Sequence, residues 1–144
     1  MSNQSHGTDN EKTFDAHLKA ENQHDLPSTL ATLHKDCIYE DMARGQTLKG
    51  HDGAAKYYQT WWNAFDLTTS SERRYVTDEG FIVIEQRCTG LHNGDFYGIP
   101  ATGNAVDFKM VTFVSFKDNL MAGERSYYDV GTILSQIGAK EFPS

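Results

Sequence analysis

Two residues of the segment CIYED, Tyr39 and Asp41, stand two apart in a run that reads as a strand. That spacing turns a phenol and a carboxylate toward one side of a sheet. In water a carboxylate of pKa about 3.9 is too weak a base for most carbon acids. Burial in a dry cavity raises that value and suits the group to proton abstraction beside a carbonyl. The enolate that develops then needs hydrogen-bond donors, and Tyr39, Arg87 and Tyr128 are candidates. Glu124 and Ser126 share a face of another strand-like run, and Glu85 and Arg87 share a face of a third. Glu85 and Arg87 either form a salt bridge on an outer face or point inward, where Arg87 would hold a carboxylate or enolate. The chemistry these groups suit is cofactor-independent acid–base work: intramolecular aldol closure, isomerisation, or addition of water.

Other classes are disfavoured. The six histidines are scattered, with no HxxxH or CxxC spacing, so no metal and no cofactor are expected. Cys37 and Cys88 lie in apolar strand-like runs and read as buried, reduced thiols. A net charge of -7 repels nucleic acid and anionic membranes, so neither is an expected partner. No stretch is apolar enough to span a bilayer. The opening MSNQSHGTDNEK is polar and lacks the basic and apolar parts of a secretory signal. The expectation is a cytoplasmic protein with a disordered segment over 1–8 and a single domain over 9–144, a length that can bury a real core.

The elements that must position these residues follow from hydrophobic period. Thr8 or Asp9 is the expected cap of a first helix carrying Phe14 and Leu18. A break at His24–Pro27 precedes a short helix over Ser28–Leu33, and Cys37–Asp41 is a short strand. Gly45–Gly50 reads as a loop. His51–Phe65 is a helix whose Ala54, Tyr57, Tyr58, Trp61, Trp62 and Phe65 recur at three-four spacing. Strands over Ser71–Thr77 and Phe81–Thr89 flank the turn Asp78-Glu79-Gly80. Val106–Phe116 and Leu120–Tyr128 are two more strands. Asp129 caps a closing helix through Ile133, Leu134 and Ile137, ended by Gly138. In the long strand Phe108, Met110 and Thr112 fall on the inward face, where Thr112 is the only polar group: either a locally bonded β-branched residue or a pocket wall. Helices segregated before a run of strands mean an α+β fold.

Between two of those strands lies GLHNGDFYGIPATG, which resembles the GTHTGxFxGIPPTG-type segment of SnoaL-like polyketide (ester) cyclases. The following strand and the ERSYYD run continue the resemblance and are also similar to limonene-epoxide hydrolases. CIYEDMARG resembles the first-strand segment of those hydrolases and of ketosteroid isomerases. All belong to the superfamily named after nuclear transport factor 2. The resemblance implies a cone-shaped, curved antiparallel sheet wrapped around an apolar cavity, with N-terminal helices covering it, and a homodimer through the outer sheet face. Within it Phe96, Tyr97 and Ile99 either cover a ligand or pack on the protein's own core or its dimer mate.

Carried over residue by residue, the isomerases' general base falls on Asp41, and the hydrolases' water-positioning tyrosine and asparagine fall on Tyr39 and Asp41. The isomerases' first-helix tyrosine falls on His17. Their second oxyanion donor, and a polar cavity residue of the cyclases, fall on Thr112. The hydrolases' Arg and Asp, two apart, match Glu85 and Arg87 only in reversed order. The acid common to the hydrolases and many cyclases falls on Ser126, a hydroxyl with no useful pKa, and Glu124 is placed to substitute. His92 occupies the family's GxH-type position, to orient the loop or reach the ligand, and Asp129 reads as a helix cap. The expected activity is that of a SnoaL-like cyclase or isomerase acting on a small apolar carbonyl or polycyclic compound. Its catalytic set is Asp41, Tyr39, His17, Arg87 and Glu85. Its ligand wall is Trp61, Trp62, Phe96, Tyr97, Ile99, Phe108, Met110, Thr112, Glu124, Ser126 and Tyr128. The rivals are a non-catalytic ligand-binding or assembly domain, and an epoxide or ester hydrolase (or a lyase) in which Asp41, Glu85 or Glu124 activates water.

Overall fold

A computed structural model of the chain describes residues 2–143, with side-chain surroundings from residue 9 onward. Four helices and six strands follow in the order α1 (Ser2–Asn22), α2 (Leu26–Ala31), β1 (Leu33–Asp41), β2 (Gln46–Lys49), α3 (Gly50–Phe65), β3 (Thr68–Val76), β4 (Ile82–Leu91), β5 (Ala105–Lys117), β6 (Leu120–Tyr128) and α4 (Val130–Gln136). The strands form one curved, unclosed sheet in the order β2-β1-β6-β5-β4-β3. The α+β class and the cone-like architecture are as expected.

Four details differ. The sheet is not wholly antiparallel: β1 runs parallel to β6, with Asp41 opposite Ser126 and Tyr39 opposite Glu124. The segment read as a loop contains β2, which pairs back on β1. The second helix starts earlier than Ser28, because Asp25 accepts the Ser28 N–H at 3.1 Å and its hydroxyl at 2.7 Å, and Pro27 fits the unbonded first turn. Leu33 accordingly opens β1 instead of closing the helix. In α1, Thr8 and Asp9 lie inside the helix and do not cap it. The expected disorder of 1–8 concerns residues whose side chains, and in Met1 the backbone, lie outside those described.

Alternation decides which face holds the core. Along β5, Val106, Phe108, Met110, Thr112 and Val114 are buried, while Asp107, Lys109 and Phe113 are exposed. Along β4 the inward set is Ile82, Ile84, Gln86 and Cys88. Against this face α3 lays Tyr57, Tyr58, Trp61 and Phe65, and α1 adds Phe14 and His17. Bulges at Ser71/Arg73 and Ser115/Phe116 and a register shift at Leu33/Ile38 bend the sheet around these rings. Gly123 lets β6 approach β1: a Cβ there would sit 2.2 Å from the Ile38 carbonyl oxygen.

Candidate active site

One cluster of polar groups inside the cone is built from four elements. His17 of α1 is fully buried. Its Nε2 lies 2.8 Å from the Tyr58 hydroxyl of α3, 3.6 Å from Glu124 Oε2 of β6, and 3.5 Å from Glu21 Oε1 one helical turn along α1. The Tyr58 hydroxyl also lies 2.7 Å from the Tyr39 hydroxyl of β1 and 3.3 Å from Glu124 Oε2, to which it can donate. His17 Nδ1 meets Thr32 Oγ1 at 2.8 Å. A carboxylate, an imidazole and two phenols thus share one buried network.

Glu124 is 9% exposed. Burial raises its pKa to about 7, and the His17 charge and the Tyr58 hydrogen bond only partly offset that. Burial pulls the His17 ring down, but the Glu21 hydrogen bond and the Glu124 and Glu21 charges outweigh it, so its pKa lies above the usual value. Burial, with the Glu124 charge beside them, holds Tyr39, Tyr57 and Tyr58 well above the usual phenol range. At neutral pH those phenols are donors, and Glu124 is poised to exchange its proton.

A hollow of about 20 Å³ opens beside this network, lined by Glu124, Tyr57, Tyr58, Trp61, Trp62 and Met110, with Glu21, Leu67, Thr69, Gln86 and Cys88 completing its wall. It has room for one water-sized molecule. Trp61, Trp62, Met110 and Glu124 are where the sequence reading placed a ligand wall. Glu21, Trp62 and Thr69 are partly exposed. Around them Asn22 clamps Thr69 by two hydrogen bonds, and His24 stacks on Trp62 with ring centroids 4.9 Å apart.

Asp41 faces inward and is 2% exposed, as its register with Tyr39 predicts. Its carboxylate does not line the hollow. One oxygen accepts the Tyr128 hydroxyl at 2.7 Å and the other accepts the Arg44 N–H at 3.0 Å. Thr112 and Ser126, opposite each other in register, hold their hydroxyls 3.0 Å apart. Both are buried, and neither reaches the hollow. Phe108 packs behind Trp61.

Two open alternatives resolve away from an interior role. Glu85 and Arg87 occupy the outer face of β4, because Ile84, Gln86 and Cys88 take the inner one. Arg87 is half exposed and pairs with Asp107, its Nε donating to Oδ1 at 2.9 Å. Neither residue belongs to the interior set. Phe96, Tyr97 and Ile99 do not cover the hollow either. Phe96 is fully buried between Trp61, Phe65 and Phe142, and the Arg44 guanidinium sits 3.3 Å over the Tyr97 ring. The segment is a packed crossover that ties α3 to the C-terminal tail. His92 orients it: the Thr102 N–H donates to His92 Nδ1 at 3.2 Å. Sequence reasoning missed Tyr58, Glu21 and Thr32 as site residues. Only the i,i+4 pairing of His17 with Glu21 carried a local signal.

Among the described residues no group of His, Cys, Asp and Glu is arranged to hold a metal ion. No described helix is long and apolar enough to cross a membrane.

A family model described as SnoaL-like polyketide cyclase matches residues 11–137. No curated protein matches the chain with significance. Among solved structures, a protein described as a SnoaL-like polyketide cyclase from Jannaschia sp. CCS1 is 22% identical. The match covers 93% of this chain and 94% of that one, with a TM-score of 0.83. A polyketide cyclase by description from Xanthomonas campestris pv. campestris is 19% identical over 92% and 98% of the two chains, also at 0.83. AclR from Streptomyces galilaeus, described as a hydroxylase, is 18% identical over 95% and 88%, with a TM-score of 0.79. At these identities the likeness speaks for the fold.

Proposed function

The chain belongs to the SnoaL-like polyketide cyclase family, and from that premise we propose that it closes a ring by proton-transfer chemistry on a carbonyl compound, with Glu124 as the acid–base group. In this reading the ionised carboxylate takes a proton from the carbon beside a carbonyl. Tyr58, backed by Tyr39 and His17, donates to the enolate oxygen. The enolate carbon adds to a second carbonyl of the same molecule, forming one carbon–carbon bond, and the new alkoxide takes its proton from Glu124. No oxidant, reductant or metal enters the balance.

The observation that carries the proposal is the buried Glu124 carboxyl, raised to about 7, beside the Tyr58 hydroxyl in the wall of the hollow. The aromatic wall suits a flat, largely apolar substrate, and its entry requires the Asn22–Thr69 clamp and Trp62 to give way. Glu124 takes over the role that the resemblance gave to Asp41 and Ser126. We also propose a homodimer through the outer sheet face, where Ile38, Phe113 and Tyr127 are exposed beside a groove of about 470 Å³.

Deuterium uptake at the α-carbon of 2-indanone in D2O, followed by proton NMR, reads the first step without the natural substrate. The wild-type protein is expected to accelerate uptake, Glu124→Gln to lose about 100-fold or more of that acceleration, and Asp41→Asn to retain most of it. Full acceleration by Glu124→Gln, or its loss in Asp41→Asn alone, would return the role to Asp41.

A further inference from the structure

Beyond the proton acceptor itself, the geometry points to Thr32 as the positioning residue that keeps a proton on His17 Nδ1 and leaves Nε2 as the only ring nitrogen that exchanges one. The inference rests on the acid–base reading for its catalytic meaning, but its geometry stands independently.

The Thr32 hydroxyl has one proton and two close polar neighbours. Its oxygen lies 2.7 Å from the Thr29 carbonyl oxygen and 2.8 Å from His17 Nδ1. A carbonyl oxygen can only accept. If the hydroxyl gave its proton to Nδ1, two oxygens would face each other lone pair to lone pair at 2.7 Å. The proton therefore goes to Thr29, and the Thr32 oxygen is left to accept from the ring. Met121 Sδ, at 3.9 Å, is too distant and too weak an acceptor to compete. The Thr29 carbonyl, close to the ring, also favours the protonated form. Nδ1 thus carries hydrogen in both the neutral and the charged ring.

All remaining polar neighbours of the ring face Nε2: Glu21 from its own helix, Tyr58 from α3 and Glu124 from β6. Any proton that passes between imidazole and carboxylate therefore passes at Nε2, 3.6 Å from Glu124 Oε2. With Nδ1 held as a donor, a neutral His17 presents a lone pair to Tyr58, and a charged one presents an N–H. Thr32 touches neither the hollow nor the reacting atoms and acts through the ring alone.

Nitrogen-15 NMR of the ring, recorded from pH 5 to pH 10 on the whole chain, tests this without any ligand. Nε2 is expected to move to a pyridine-type shift as the ring titrates, while Nδ1 stays pyrrole-type throughout. Thr32→Val keeps the shape and removes the acceptor, so pyridine character should appear on Nδ1 as well. Thr32→Ser should restore the wild-type pattern. A wild-type ring whose Nδ1 loses its proton first, whose Nε2 never titrates, or whose pattern Thr32→Val leaves unchanged overturns the assignment. If Thr32→Val fails to fold, the wild-type and Thr32→Ser spectra alone decide it. If the pattern holds while Glu124→Gln still accelerates exchange into 2-indanone, the acid–base reading fails and the role of Thr32 in fixing the ring survives.

Discussion

Glu124 and His17 sit 3.6 Å apart inside the cone, and the pKa values of both are shifted upward. Glu124 keeps its proton to about 7 against an ordinary 4.5, so between those values the folded chain binds a proton that the unfolded chain has released. Stability must then fall as pH rises through that window, because the folded state is the one that binds more protons. His17, also raised, extends the fall upward from its ordinary 6.5. Asp25 and Asp107, whose pKa values are lowered, act below their ordinary 3.8 and leave this window clear. The Glu124 shift corresponds to a fall of order 3 kcal/mol. Urea unfolding between pH 4.5 and pH 8 should show it, and Glu124→Gln should flatten the curve. A wild-type curve that is flat or rising would show Glu124 to be an ordinary carboxylate. The inward position of Glu124 was legible from its place two residues before Ser126. Its contacts with Tyr58 and His17 were not, because those residues come from separate elements that no local pattern links. Glu85 and Arg87 show the opposite limit. Their common face was readable, but the IVI run of β4 is apolar on both sides and could not say which face was inner.

At the scale of elements, the parallel contact between β1 and β6 brings Tyr39 alongside Glu124, and it depends on Gly123. An added Cβ would meet the Ile38 carbonyl oxygen at 2.2 Å, and a backbone oxygen cannot rotate away as a side chain can. Gly123→Ala is therefore expected to destabilise the fold by about 3 kcal/mol, seen as a lower urea midpoint at unchanged slope. A midpoint within about 0.5 kcal/mol of wild type would mean that the two strands can separate cheaply. Strong alternation made β5 readable almost to its ends. The four residues of β2 escaped because Leu48 is their only apolar member and none is fully buried, so nothing but pairing marks them as a strand. The parallel pairing escaped for a related reason, since a contact between residues about eighty positions apart leaves no trace in hydrophobic period. The second helix was misplaced through its cap: the Asp25-Leu26-Pro27 run read as a break is what starts it.

For the whole molecule, the curved sheet separates two environments. Its inner face carries the buried network of His17, Tyr58, Tyr39 and Glu124, and its outer face carries the exposed apolar side chains Ile38, Phe113 and Tyr127. A second copy seated there would remove those side chains from water. Sedimentation should give twice the 16.2 kDa of one chain, and Phe113→Glu should return the monomer. A wild-type monomer at all concentrations would leave that face for another use. The proposed chemistry, in contrast, stands on a single property of the interior: a carboxyl that still holds a proton near neutrality because the fold takes it out of water, an effect that the His17 charge and the Tyr58 hydrogen bond only partly offset. Carbon-13 NMR of the Glu124 side-chain carboxyl, followed through pH, measures this directly. The account predicts a midpoint at about 7, moved downward when water is let in by Trp62→Ala. A midpoint near 4.5, the ordinary value for a solvated glutamate, would contradict it.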